Sequence, residues 1–386
     1  MNTIKNKKVA IVGGGPGGLT LARLLQQKGA DVNVYERDLN KEVRVQGATL
    51  DLHDDSGLKA LREAGLMEAF KENFRPGADK TRIMDRHGRI ILDEHQDDSS
   101  NVFGNAAFRP EIDRGPLRKI LLESLQPGTV VWNSQFVSLI KQGQSWKLEF
   151  QNGSSAIADI VIAADGANSK IRPFITSIKP FYAGVTVVEG VVYHSETAAP
   201  HIHKLLNGGK IFAFGDEKSL IVSSKGDGSI VFYTGCKTSE DWVRNCGIDF
   251  KDKSQVIAWF KKEFAGWDNV WLELFEKASD ACIPRPQYCM PLDQTWDALP
   301  NLTLLGDAAH LMPPYAGEGV NMAMLDALEL SDCLASEAFA DTLSAIAAYE
   351  NQMRARASET ARMTLEQTES LHSADAIANM MGVMGQ

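Results

Sequence analysis

The chain is short of the features that point outside a folded soluble enzyme. Its five cysteines, Cys236, Cys246, Cys282, Cys289 and Cys333, are odd in number, scattered and never in a C-x-x-C pair. That argues against a disulfide framework and a zinc-like ligand set, and predicts reduced thiols in a cytoplasmic protein with no metal site. No apolar run approaches the roughly 20 residues of a membrane span. The opening MNTIKNKKVA reaches a strand at once, which leaves no room for the apolar stretch of a secretory signal. Basic residues are outnumbered 40 to 50, giving a net charge of −10. Nucleic acid and anionic membrane both reward a basic patch, so neither is an expected partner. Internal repeats and low-complexity linkers are missing too. The 386 residues suggest two domains with a core large enough to need no staples.

What the chain does have begins with VAIVGGGPGGLTLARLLQQKGADVNVYERD, residues 9–38. Val9–Val12 reads as a short strand, Leu19–Lys28 as a helix closed by Gly29, and Asp31–Glu36 as a second strand, one complete βαβ unit. Gly13, Gly15 and Gly18 fit G-x-G-x-x-G: a sharp turn off the strand, close backbone approach to a pyrophosphate, and tight helix packing. The helix start then offers free N–H groups and a positive dipole end to phosphates. Glu36, at the end of the second strand, is placed to accept hydrogen bonds from a ribose. Arg37 either reaches toward the adenine or a phosphate or is a solvated surface charge. From this unit alone FAD and NAD are not separable.

Two further segments favour the longer cofactor. ADGANSKIR, residues 164–172, follows an apolar run read as the strand Ile157–Ala164 and carries Asp165, Gly166, Ser169 and Arg172 in D-G-x-x-S-x-x-R spacing. LLGDAAHLMPPYAGEGVNMAMLDALEL, residues 304–330, ends the strand Leu302–Leu305 in Gly306-Asp307, turns at two prolines and passes Gly317, Gly319 and Asn321 into a helix. An aspartate there can hold ribityl hydroxyls, and the helix start can point N–H groups at a flavin ring. Three segments converging on one long molecule suit FAD. No second G-x-G-x-x-G unit is present, so no separate nicotinamide domain is expected. Ser56–Ala64 and Arg114–Leu125 read as helices. Residues 176–290 read as an antiparallel meander with turns at GDEKS and KGDG and one helix in SQVIAWFKKEF. Beyond residue 322 one or two long helices follow to about residue 371, and IANMMGVMGQ either packs across both domains or frays.

On the words VGGGPGGLT, LLQQKGADVNVYERD, GATLDLH, PEIDRGPLRKILLESL, GDAAHLMPPYAGEGVN and YENQM the chain resembles the class A flavin monooxygenases, which share the para-hydroxybenzoate hydroxylase fold. Within them it is most similar to the TetX-type tetracycline-inactivating monooxygenases, nearly end to end. The resemblance implies an α/β fold, α+β overall. A Rossmann-like FAD-binding domain with a parallel sheet would comprise 1–76, 103–178 and 291–348. A substrate domain with an antiparallel sheet would comprise 77–102 and 179–290, and a C-terminal helical segment 349–386. It implies a cytoplasmic monomer whose partners are O2 and a small molecule. NADPH would reduce the FAD, and O2 would form a C4a-hydroperoxide that passes oxygen to an electron-rich carbon of a polycyclic or aromatic substrate, tetracycline being the first candidate. Other phenolic or natural-product substrates, a flavin reductase and a non-catalytic flavin-bound sensor or carrier are the alternatives.

Cofactor contacts are implied for Gly13, Gly15, Pro16, Gly18, Glu36, Arg37, Asp51, Asp165, Gly166, Asp307, Pro314, Gly317, Gly319, Val320 and Asn321. Arg114 and Arg118, four apart on one helix face, would point at the flavin side, and Arg44 would meet NADPH. No protein side chain is expected to carry the chemistry, and His310 reads as fold-forming or flavin-adjacent. His201 and His203 in HIH read as loop residues, not ligands. Substrate candidates lie in the antiparallel region: Glu189, which shares a strand face with Val185, Val187, Val191 and Tyr193, then Lys210 and Phe212. Where the tetracycline enzymes carry Gln, Arg and His, this chain has Glu189, Lys210 and Val231.

Overall fold

The computed structural model describes residues 3–43, 47, 49–96, 102–105, 108–279 and 281–384. Its first layer is a five-stranded parallel sheet in the order Leu302–Leu304, Ile160–Ala163, Lys8–Val12, Asp31–Tyr35, Val130–Val131. The central strands are near-continuous apolar runs because both faces are covered. The helices Pro16–Gln27, Arg114–Glu123 and Glu318–Ala335 and a small antiparallel sheet (Phe136–Gln142, Ser145–Phe150, Ser155–Ala158) share one apolar core with them. The first helix starts at Pro16, earlier than its apolar spacing suggests. Proline is suited to a first turn, where its missing N–H would have no partner.

The run read as one strand over Ile157–Ala164 is two. Ser155–Ala158 belongs to the small antiparallel sheet, with Ile157 exposed, and Ile160–Ala163 to the parallel one. Asp159 makes the switch: its N–H donates to the Lys8 carbonyl and its carboxylate accepts from the Lys8 N–H at 2.9 Å. Apolar content could not reveal a change of partner sheet inside a short run.

The second layer is a seven-stranded sheet in the order Ile283–Cys289, Phe181–Val192, Ile230–Lys237, Lys218–Ser224, Lys210–Gly215, Thr81–Asp85, Ile90–Asp93. It is antiparallel except where Lys210–Gly215 lies parallel to Thr81–Asp85. It is not a plain meander, because Phe181–Val192 pairs with the third strand after it rather than the next. Side-chain alternation divides its faces. Val188, Val192, Ile211, Ala213, Leu220, Val222, Ile230 and Phe232 pack on the helices Pro200–Leu206, Lys253–Glu263 and Leu272–Lys277. The face carrying Val187, Glu189, Lys210, Phe212, Ser219 and Tyr233 turns toward the first layer and the C-terminal helices. His201 and His203 are not in a loop. They lie on the helix Pro200–Leu206, where His201 Nδ1 meets Glu273 Oε1 at 3.0 Å and His203 Nδ1 meets Ser195 Oγ at 2.9 Å. Pro200 at the first helical turn is the sequence signal for this.

Two long helices follow, Glu318–Ala335 and Thr342–Leu371. Asp341 starts the second with a capping box, accepting the Ser344 N–H at 2.8 Å. Its 30 residues span about 45 Å, from the Leu304 carbonyl, held by Tyr349 Oη at 2.9 Å, to the seven-stranded sheet at His372. The last helix, Ala376–Met384, lays Ile377, Met380 and Met381 near Ile83, Phe212 and Phe214 of that sheet. No helix among the described residues is long and apolar enough to cross a membrane. The five cysteines are free thiols; burial pushes Cys236 up to about 12 and Cys282 and Cys289 to about 11, so these three stay protonated and unreactive.

Candidate active site

The glycine turn is shaped by close backbone approach. Gly13 has φ +113°, and a Cβ there would run into the Ala164 carbonyl. A Cβ on Gly18 would strike the Gly13 carbonyl. At Gly15, the N-cap residue, a Cβ would meet nothing within 4 Å, and no side chain caps the helix. The first-turn N–H groups therefore face open space, the cradle a pyrophosphate needs. Gly17 was not singled out in the sequence, yet a Cβ there would sit 2.8 Å from Leu305 Cδ1 and 2.9 Å from the Ala323 carbonyl oxygen. It lets Pro16–Gln27 lie directly against Glu318–Ala335. Buried Glu36 accepts the Gly14 N–H at 2.6 Å and the Asp38 N–H at 3.0 Å, so its carboxylate secures the loop it would share with a ribose.

In the second segment Ser169 Oγ accepts the N–H groups of Ile171 and Arg172, at 3.2 and 3.0 Å. Asp165 Oδ2 accepts the Lys170 N–H at 2.8 Å, while its Oδ1 is buried with no hydrogen-bond partner among the described residues. Burial pushes this carboxyl upward against the pull of those bonds. Arg172 donates to three carbonyls: Ala308 at 2.6 Å, Asp307 at 2.9 Å and Ala167 at 3.3 Å. The D-G-x-x-S-x-x-R spacing thus builds a clamp between the second and third segments. Arg172→Leu strands the buried Ala308 carbonyl, at about 1–3 kcal/mol, and frees the part-buried carbonyls of Asp307 and Ala167. The expected outcome is a lower melting temperature together with weaker FAD retention, read by thermal melting and by flavin loss on gel filtration.

The third segment is held from behind. Asp326 Oδ2 accepts the Gly306 N–H at 2.8 Å and pairs with His310 Nε2 at 2.5 Å, while its Oδ1 meets Arg356 Nη2 at 2.6 Å. His310 is therefore fold-forming. Burial alone would lower its pKa, but the Asp326 carboxylate outweighs it and raises it. Asp307 is pushed up by burial against the pull of His310, Arg114 and Arg172, and its carboxylate makes no hydrogen bond among the described residues. Gly317, at φ +72°, would bring a Cβ 2.9 Å from Asp51 Oδ1. Asn321 stitches the two loops together, donating to the Asp51 carbonyl at 2.9 Å and accepting the His53 N–H at 2.9 Å. Gly319 has open space where a Cβ would stand, Val320 packs on the core and Pro314 is exposed.

The two arginines of the helix Arg114–Glu123 have different surroundings. Arg118 makes a buried pair with Asp38 at 2.9 Å and lies over the Trp132 ring at 5.3 Å. Arg114 lies against Gly47, where a Cβ would come within 2.8 Å of its Nε, and its charge reaches Asp307. Arg37 is exposed, and Arg44 lies outside the described residues.

On the second layer the charged substrate candidates are already engaged. Lys210 pairs with buried Glu111. Burial raises the Glu111 carboxyl despite that ammonium, and the Lys210 pKa is raised by Glu111 and Asp51 against the opposing effect of burial. Glu189 pairs with Arg285 on the edge strand. Phe212 stacks near Phe214, with centroids 6.5 Å apart. A cluster invisible in the sequence joins the loop to the sheet: His372 Nε2 meets Ser219 Oγ at 3.0 Å and Tyr315 Oη at 3.3 Å. Gly235 makes room for it, since a Cβ there would collide with all three.

The open N-cap at Gly15, the orphaned Asp165 oxygen and the Asp307 carboxylate are what a pyrophosphate and a hydroxylated ribityl chain require, so FAD fits the residues present. A two-layer fold with these three segments defines the class of FAD-dependent monooxygenases. The chain belongs to the FAD binding domain family, which matches residues 6–264 and 298–364. It is 29% identical to monooxygenase asqM of Emericella nidulans, over 92% of this chain and 94% of that one. It is 28% identical to the 3-amino-4-hydroxybenzoate 2-monooxygenase PtmB3 of Streptomyces platensis, over 97% and 91%. Its fold is similar to that of the tetracycline destructase Tet(51), with a TM-score of 0.73 and 17% identity over 98% of this chain and 96% of that one.

Proposed function

We propose that the protein is an NADPH-consuming monooxygenase that hydroxylates a polycyclic or aromatic small molecule. The substrate would lie between the loop 314–321 and the sheet face that carries Glu189, Tyr233 and Ile221. One observation carries this reading: Tyr315 of that loop reaches Ser219 and Gly235 on the same face, so a ring bound on the sheet lies beside the flavin end of the cofactor. In this reading the nucleotide-binding unit comprises 1–76, 103–178 and 291–348, the substrate unit 77–102 and 179–290, and 349–386 ties them.

FAD, when bound, supplies the redox chemistry and the activation of O2. The chain binds and orients it. Gly13, Gly15, Pro16 and Gly18 take the pyrophosphate, and Glu36 and Arg37 the adenosine. Asp165, Gly166 and Asp307 meet the hydroxylated linker, with Arg114 beside Asp307 and Arg118 bracing the adenosine loop through Asp38. Asp51, Pro314, Gly317, Gly319, Val320 and Asn321 frame the ring, and the N–H groups opening Glu318–Ala335 face the end where negative charge grows on reduction. NADPH docks transiently near Arg44. Phe212 and the apolar residues of the sheet exclude water from the reacting carbon.

Tetracyclines are candidates through the shared fold, and a phenolic substrate is favoured by the amino-hydroxybenzoate monooxygenase matched over nearly the whole chain. Purified protein is expected to be yellow and to bleach with NADPH. With O2 and the right substrate it should give a product heavier by one oxygen, read by mass spectrometry across a panel of both classes. NADPH consumption with hydrogen peroxide release and no heavier product refutes the substrate tried. A flavin that NADPH never bleaches refutes the enzyme reading in favour of a carrier or sensor.

A further inference from the structure

Register places Arg285 opposite Val187, and Val187 opposite Gly235, all on the face that meets the loop 314–321. Tyr315 stands over Gly235. Two strand spacings, about 10 Å, therefore separate the loop from Arg285, close to the length of a two-ring aromatic. Between them Glu189, Val187 and Tyr233 form a half-apolar floor.

The cations on this face are not equally available. Lys210 is held by Glu111 and Lys237 by Glu369. Arg285 uses only its Nε, which donates to Glu189 Oε2. Its two terminal nitrogens have no protein partner among the described residues, and its side chain is 50% exposed while that of Glu189 is 9% exposed. A buried carboxylate thus grips the inner edge of the guanidinium and leaves a planar fork of donors facing outward. Such a fork matches the two oxygens of a carboxylate or the paired oxygens of an enolised dicarbonyl.

The geometry points to Arg285 as the residue that selects an acidic substrate, an aromatic carrying a carboxylate or enolate at the end remote from the loop 314–321; this rests on the monooxygenase reading above. Glu189 is then a positioning residue that orients the fork and not a direct substrate contact.

The test uses the FAD-loaded protein and two probes of one shape, 6-hydroxy-2-naphthoate and its neutral amide, titrated against the visible absorbance of the flavin. The acid is expected to bind about tenfold more tightly than the amide, the scale of a charge-assisted bidentate contact. Arg285→Gln should bring the two within about twofold of each other by weakening the acid alone, and Arg285→Lys should recover part of the preference, keeping the charge without the fork. Arg285→Gln leaves the buried Glu189 carboxylate without its partner, so melting temperatures are compared and the double variant Arg285→Gln/Glu189→Gln, which removes that lone charge, should lose the preference equally. Equal binding of both probes by the wild type, or a preference that survives Arg285→Gln, overturns the assignment. So does binding of neither probe by protein whose flavin NADPH still bleaches, and that outcome leaves the monooxygenase reading standing. A flavin that NADPH does not bleach counts against the monooxygenase reading, while the titration still reports on Arg285.

Discussion

Gly13→Ala is expected to yield protein that purifies colourless and melts well below the wild type. The residue sits at φ +113°, and its new methyl would overlap the Ala164 carbonyl while lying 3.0 Å from the Asp165 N–H. Neither neighbour is the movable end of a side chain. Ala164 is locked into the parallel sheet through its N–H to the Val12 carbonyl at 2.8 Å. Backbone strain of about 1–3 kcal/mol and overpacking of a similar size act together. The control is Gly15→Ala, where the added methyl meets no protein atom. That variant should keep the melting temperature of the flavin-free protein and still bind FAD much more weakly, since the methyl would stand where a pyrophosphate on this turn must approach. The absorbance ratio at the flavin and protein bands, with melting curves taken with and without added FAD, separates the two effects. Gly15→Ala protein that holds FAD as tightly as the wild type would remove the phosphate from this turn.

The second large effect is expected from Asp326→Asn. Asp326 is fully buried and serves the Gly306 N–H, His310 and Arg356 at once. Breaking such a site leaves buried cations uncompensated, typically at about 3–5 kcal/mol, which for a chain of this size lowers the melting temperature by about 10 °C. Because Gly306 and His310 flank Asp307, FAD affinity should fall with it. The pair also sets a pH window. Burial would raise the Asp326 carboxyl, but His310 and Arg356 hold it below its ordinary value, so its contribution is present above about pH 4 and is lost as pH falls through the lowered value. The His310 pKa is raised, so its contribution is complete below about pH 6.5 and is lost as pH rises through the raised value. The advantage in melting temperature of wild type over His310→Gln should therefore be largest between those limits and shrink on the alkaline side. A difference that does not change with pH would mean that His310 does not change its charge over the range measured.

Much of the nucleotide-binding layer was legible because its signals are local. A strand, a glycine turn and an amphipathic helix occupy consecutive residues, and Gly13, Gly15 and Gly18 are demanded by the backbone itself. The long C-terminal helices were legible for the same reason, as breaker-free stretches of helix formers. The errors came where a local pattern was consistent with two neighbours. Ile157–Ala164 is apolar in both sheets it joins, and His201 and His203 look alike in a loop or on a short helix until Pro200 is weighed. Gly17 was passed over because its reason, the backbone of Ala323, lies three hundred residues away.

By itself the sequence determined the dinucleotide turn, since its strand, glycines and helix are spaced along the chain as they are in the fold, and its resemblance to a known family implied the class of enzyme. The tertiary structure alone decided which charges are occupied. Lys210 is held by Glu111, Glu189 by Arg285 and His310 by Asp326, while Arg172 spans to the third segment and Gly235 makes room for Tyr315 and His372. The physical reason is that a charge takes its partner from whichever strand or helix is packed beside it. That neighbour is set by sheet order and register, which no stretch of contiguous residues records.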